Sequence, residues 1–266
     1  VLLDDATGAP EDCARALCEE VDRGSVCSTI DEILRPAEER PMRDLTTHYL
    51  AQEGRASMEE CIEVTFNWCV EHAVSKIVMF TANGLGPQHT AQNLLPLQRF
   101  AGLNVVAVTP PFGKQYRANP TDPTSSILRA GINPGLREEL AAFGIAVVVA
   151  HLPFKDVSVG RERSSEWTRA AEALGVLGGG FALCIQAVLV ACDAGEVEVG
   201  ERIAVLSADT ALVVLASRTE TFLSPQEGLL VEHVICRPQN YAISKPEHLY
   251  REGMWPSLPL ARAQLP

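Results

Sequence analysis

The stretch "KIVMFTANGLGPQHTAQNLLPLQRFAGLNVVAVT", residues 76–109, decides the fold. An apolar run, a loop of small and polar residues, a helical segment and a second apolar run ending in Thr109 fill the length of one βαβ unit. Two strands joined through a helix run parallel. The first strand hands over to the helix through a turn that carries Thr81, Asn83, Gly84, Gly86 and, one helical turn on, Thr90. Ligands of parallel sheets sit beyond the C-terminal ends of the strands, and free N–H groups at a helix N-terminus favour anions. A phosphate is the expected occupant. The alternative is an ordinary strand-to-helix connection in which glycine permits the turn and the threonines cap the helix. Neither G-x-G-x-x-G nor G-x-x-x-x-G-K-[ST] is present to decide between the two.

Outward from this unit the alternation continues. Upstream, "SMEECIEVTFNWCVEHAV" opens with Ser57 and Glu60 in capping-box spacing, and Ile62, Phe66, Cys69 and Ala73 supply an apolar face, which predicts a helix over 57–73. Downstream, a helical pattern near 134–143 precedes an apolar run at 145–150. The segment "GGGFALCIQAVLVACDAG", 178–195, is apolar nearly all round and too long for a strand. It predicts a buried helix that starts at glycines and stops before Gly195. Two or three further β-rich runs follow in "RIAVLSADTALVVLAS" and "LLVEHVIC". The expected fold is therefore α/β, three-layer, with a mostly parallel sheet flanked by helices. Residues 1–50, charged and broken by Pro36 and Pro41, read as an N-terminal helical extension, 51–240 as the α/β domain and 241–266 as a C-terminal tail.

Composition narrows the partners. The 22 basic against 34 acidic residues leave a net charge of −12, which opposes a broad nucleic-acid or anionic-membrane surface. No apolar run reaches the roughly 20 residues that span a bilayer, and the first twenty residues carry acids where a signal peptide carries bases; the expectation is a cytoplasmic protein. None of the eight cysteines forms a CxxC pair, and those at 61 and 69 and at 184 and 192 fall within apolar helical patterns. They read as small buried hydrophobes, and the scattered histidines offer no metal-ligand spacing.

Polar residues at the other strand ends complete the candidate site. Thr109 leads into "PPFGKQYRANPTDPTSS", a polar loop with Lys114, Tyr116 and Arg117 that reads either as a lid or as a surface excursion. His151 closes the third strand of the run, where an imidazole can act as general acid or base or be a satisfied structural residue. Arg163 and Ser164 precede a helical pattern and offer a cation and a hydroxyl, or else an exposed charged cap. Asp209 and Thr210 occupy a turn between β-rich runs, where Asp satisfies local N–H groups or accepts from a ligand hydroxyl or ring nitrogen. Asp193 sits at a helix C-terminus, where the dipole disfavours a carboxylate unless something compensates it.

The order of these motifs is similar to that of a known family. "KIVMFTANGLGPQHTA", "NVVAVT", "AHLPFKDVSVGRERSS", "LCIQAVLVACDAGEVEVGERIAVL" and "SADTALVV" follow one another as they do in stand-alone proteins related to the C-terminal α/β domain of pyruvate kinase, which the chain resembles from about residue 49 to 238. The family's Ser/Thr-Gly-x-Thr-Ala turn corresponds to Gly86–Ala91 in loosened form, its Ser-His to Ala150-His151, its Glu-Arg-Ser to Glu162–Ser164, its Asp-Ser-Gly to Asp193–Gly195 and its Gly-Ala-Asp-Thr-Ala to Ser207–Ala211. The resemblance implies a homo-oligomeric protein that binds a phosphorylated small molecule, flavin mononucleotide (FMN) being the best single name. It does not imply kinase chemistry, which belongs to a barrel domain that this sequence lacks. Three departures stand out: the Gly-Gly-Arg-Ser-Arg-like stretch that precedes the family's aspartate turn is missing, "EGRASMEE" replaces its Pro-Gly-Lys-Glu-Asn-Thr, and the first loop is longer and contains Pro87. Two other expectations stay open beside ligand storage: a non-catalytic metabolite sensor or assembly module, and a cofactor-free lyase or isomerase using His151 with Arg163.

Overall fold

The computed structural model describes residues 44–117, 124, 126–156, 170 and 173–240. In chain order the elements are strand β1 (His48–Leu50), helix α1 (Met58–Glu71), β2 (Lys76–Phe80), α2 (Leu85–Asn93), β3 (Asn104–Thr109), β4 (Gln115–Arg117), β5 (Ile127–Arg129), α3 (Pro134–Ala142), β6 (Ala146–Val149), α4 (Pro153–Asp156), α5 (Gly179–Asp193), β7 (Arg202–Leu206), β8 (Ala211–Leu215) and β9 (Leu230–Pro238). Seven strands form one sheet in the order β1-β9-β8-β7-β2-β3-β6, and β4 and β5 form a separate antiparallel ribbon.

The βαβ unit expected over 76–109 is the centre of that sheet. β2 and β3 pair in parallel with Lys76 opposite Asn104, and β7 and β6 extend the parallel run on either side. Alternation along each strand divides the core. Ile77, Met79, Val105, Ala107, Ala204 and Leu206 pack with Cys61, Ile62 and Phe66 of α1, Ala91 of α2 and Leu140 of α3. Val78, Val106, Val108, Ile203 and Val205 face Ile185, Val188 and Leu189 of α5. The α/β architecture with helices on both faces is the one the sequence pattern predicts. Phe66 and Phe100 meet edge to face at 5.4 Å between ring centres, and burying a ring of that size contributes about 2–3 kcal/mol.

Several local expectations change. The capping box does not form: residues Gly54–Ser57 make a 3₁₀ turn ahead of α1, and the Ser57 hydroxyl donates to Gln52 O at 2.9 Å instead of capping the helix. The helical segment expected between the strands of 76–109 spans only Leu85–Asn93, because Pro96 cannot continue a helix, and a 3₁₀ turn follows at Gln98–Phe100. The strand β8 runs antiparallel to both neighbours, so the sheet is mixed on that side. His48–Leu50, counted above with the N-terminal extension, forms the outermost strand, parallel to β9. Helix α5 ends in a Schellman motif as expected, with Gly195 N–H donating to Cys192 O and Glu196 N–H to Ala191 O around a glycine of φ +79°.

Candidate functional site

Strands β2, β3, β6 and β7 end at one edge of the sheet, and α1, α2, α3 and α5 begin there. The chain leaving β2 turns to the face that carries α1 and α2, whereas the helix that leads into β7 lies on the opposite face. β2 and β7 are parallel neighbours, so the turns that follow them, residues 81–86 and 207–210, stand at the C-terminal edge of the sheet, where open α/β sheets bind ligands.

The first turn is held by its own side chains. Thr81 is buried, and its Oγ1 accepts from Gly84 N at 2.9 Å. Asn83 Oδ1 accepts from Leu85 N at 3.3 Å, and Pro87 contributes no N–H to the first turn of α2. Gly84 has φ +86°, and a Cβ there would stand 2.6 Å from Leu136 Cδ2, so both conformation and packing against α3 require glycine.

The second turn buries a carboxylate. Asp209 is 7% exposed; its Oδ2 accepts from Gly54 N at 2.6 Å, and its Oδ1 from Thr210 Oγ1 at 3.0 Å and Ser207 Oγ at 3.4 Å. Burial raises its pKa above the ordinary carboxylate range, and the neighbouring charge of Glu53 adds to the rise; the bonds from Gly54, Thr210 and Ser207 lower it without cancelling the effect. Gly180, in the first turn of α5, packs against this pair: a Cβ there would lie 2.1 Å from Thr210 Oγ1 and 2.7 Å from Asp209 Oδ1. The glycine run before α5 thus serves close approach of the turn to a helix N-terminus, where peptide dipoles favour an anion.

A ribbon is tied to the turn after β2. The connection after β3, read from sequence as a polar loop, forms the β4–β5 hairpin at its described ends. Its base is tied to the first turn by Gly131 N–H donating to Ala82 O at 2.7 Å, with Gly131 pressed on the Phe112 backbone. Tyr116 on β4 is half-buried, which raises its phenol, while the charge of Arg55 pulls the other way. Arg55 belongs to the loop that carries Gly54 onto Asp209, so its charge acts on both the hairpin tyrosine and this edge of the sheet.

The remaining candidates are spread out. Thr90 is fully buried with its hydroxyl on Met79 Sδ at 3.6 Å, and Gly86 gives α2 its close contact with Met79, Ile62 and Met58. Thr109 ends β3 fully buried, with its hydroxyl 3.5 Å from Pro110 O. His151 is exposed beyond β6, three strand positions from β7 and therefore roughly 14 Å along the edge from the aspartate turn. Arg163 and Ser164 lie outside the described residues. Asp193 is at the opposite edge, where Thr219 compensates the helix end by donating from N at 3.1 Å and Oγ1 at 2.5 Å. The structure brings together Thr81, Asn83 and Gly84 in one turn and Asp209 with Thr210 in the other.

Gly54, Arg55, Ser207 and Gly180 had no functional weight in the sequence. Only the triple glycine before α5 could have pointed to a close approach; Gly54 lies in sequence far from its partner. Among the described residues no group of three or more His, Cys, Asp or Glu side chains can hold a metal, and no helix is long and apolar enough to cross a membrane. No protein-family model matches the chain, and no curated protein matches it.

Proposed function

We propose that the chain is a small-ligand-binding α/β protein of the kind that resembles the pyruvate kinase C-terminal domain, holding a phosphorylated ligand, with FMN the best single candidate. The observation that carries this reading is Asp209, a carboxylate buried in the turn after β7 although three hydrogen bonds do not offset its burial. A carboxylate held where desolvation opposes its charge, at the C-terminal edge of a parallel sheet, is a candidate ligand contact. In this reading Asp209 accepts from a ring N–H or hydroxyl of the ligand, the turn of Thr81, Asn83 and Gly84 with the start of α2 faces the phosphate, and the β4–β5 hairpin covers both. Bound flavin would supply redox chemistry, and these residues would bind and orient it. Cytoplasmic location and assembly into a homo-oligomer belong to the same proposal.

The test is titration of the purified full-length chain with FMN, followed by quenching of flavin fluorescence, beside absorbance and mass spectra of any ligand released on denaturation. Saturable one-to-one binding that Asp209→Asn weakens at least tenfold is the expected result. A chain that carries no flavin and fails to quench added FMN overturns the FMN reading.

A further inference from the structure

Three buried thiols surround the aspartate turn. Cys61 of α1 points at Ser207 O, 3.8 Å away, and Cys184 of α5 at Thr210 O, 3.4 Å away, from opposite faces of the sheet. The third, Cys236 of β9, has its Sγ 3.5 Å from Cys61 Sγ. All three are 0% exposed. Cys69 and Cys192, the other described cysteines, are also buried and free, and neither has a sulfur neighbour of this kind.

We propose that Cys61 and Cys236 form a reversible disulfide, a modification site set against the Ser207–Thr210 turn. A disulfide needs sulfurs about 2.0 Å apart, so the observed separation leaves an approach of roughly 1.5 Å for side-chain rotation to supply. The partners belong to different elements, α1 and β9, and lie 175 residues apart, so the bond would clamp one of the longest loops in the chain. With a peroxide as oxidant the step balances. The sulfur of one cysteine, as thiolate, attacks a peroxide oxygen, breaking the O–O bond, and becomes a sulfenic acid as water leaves. The sulfur of the second cysteine then attacks the sulfenic sulfur, forming the S–S bond and expelling a second water. Each sulfur loses one electron and the peroxide gains two. The hydrogen bond with Cys236, and then burial, keep the Cys61 thiol protonated, which makes the first step slow and confines it to openings of the α1–β9 contact. Once made, the bond takes the Cys61 hydrogen from Ser207 O, so oxidation acts on the turn that holds Asp209.

The experiment treats native full-length protein with hydrogen peroxide, removes the oxidant, alkylates in denaturant and weighs the chain. Expected are two fewer alkylated thiols than the eight cysteines of the sequence, a cross-linked peptide pair containing Cys61 and Cys236, and a higher melting temperature that dithiothreitol reverses. Cys61→Ser and Cys236→Ser should each abolish the cross-link and Cys184→Ser should leave it. Full alkylation of all eight after oxidation, or a cross-link between another pair, overturns the proposal. Peptide mapping of the unsubstituted chain decides the matter even where a variant fails to fold.

Discussion

The backbone N–H of Gly54 donates to Asp209 Oδ2 over 2.6 Å, joining residues 155 apart. The loop before α1 is thereby held against the 207–210 turn, and the carboxylate is fixed by main chain from that loop and by the hydroxyls of Ser207 and Thr210.

Asp209→Asn should stabilise the ligand-free protein at neutral pH. The folded pKa of Asp209 lies above its unfolded value, so its contribution to stability is complete below about pH 4 and is lost as pH rises through the folded pKa. An amide keeps the shape, accepts from Gly54 with its oxygen, and leaves its NH₂ to hydroxyls that can rotate to accept. The melting temperature of the variant minus that of the parent should grow between pH 4 and pH 7. A difference that stays flat or shrinks with rising pH would contradict the raised pKa.

Gly180→Ala should destabilise. Helix propensity alone favours alanine by about 1 kcal/mol, but the new methyl would overlap Thr210 Oγ1 and Cβ, at 2.1 and 2.6 Å. Overpacking of this kind costs about 1–3 kcal/mol, so a net loss is expected on chemical denaturation, together with weaker ligand binding.

Gly54→Ala isolates conformation from packing. No atom lies within 4 Å of the added Cβ, yet φ is +75°. The left-handed backbone costs about 1–2 kcal/mol for an L-residue, a fall of a few degrees in Tm by the scaling for domains of this size. An unchanged Tm would mean the loop reaches Asp209 by another conformation.

Acid should weaken the fold through His233. Trp68 stacks on His72 at 4.0 Å and on His233 at 5.5 Å, with Arg202 over its ring. Burial lowers the His233 pKa, and the charges of His72, Arg202 and His48 push the same way against a hydrogen bond with the Thr46 backbone. Arg202 is itself paired with Glu232 at 2.7 Å. Below about pH 6.5 the unfolded chain binds more protons here, so stability falls as pH drops through the folded pKa. Thermal melts between pH 7 and pH 5 should show that fall reduced in His233→Gln; an equal fall in both proteins would assign the acid sensitivity elsewhere.

The layers of the fold were legible because apolar length separates the elements. The continuous apolar runs at 76–80 and 104–109 have the length of strands buried on both faces, and the unbroken apolar stretch of α5 is too long for one. The antiparallel direction of β8 was not read from the sequence, although only the four residues 207–210 separate it from β7, too few for a crossover. Nor was β1, because three residues carry no period. Within the site, Thr81, Gly84 and Asp209 announce turns by residue type. The bond from Gly54 to Asp209 is a tertiary fact without a local signature.

The edge pairing of β1 with β9 has a bearing on the order in which the molecule assembles. His48 and Cys236 are partners drawn from the two ends of the described sheet, so β1 has nothing to add onto until β9 is in place. Closing so long a segment before any of its contacts form is entropically unfavourable, and the locally paired strands β2 and β3 precede it. The loop that delivers Gly54 to Asp209 follows directly from β1. The Gly54–Asp209 bond is consequently made late in folding and is among the first released when the outer edge of the sheet opens.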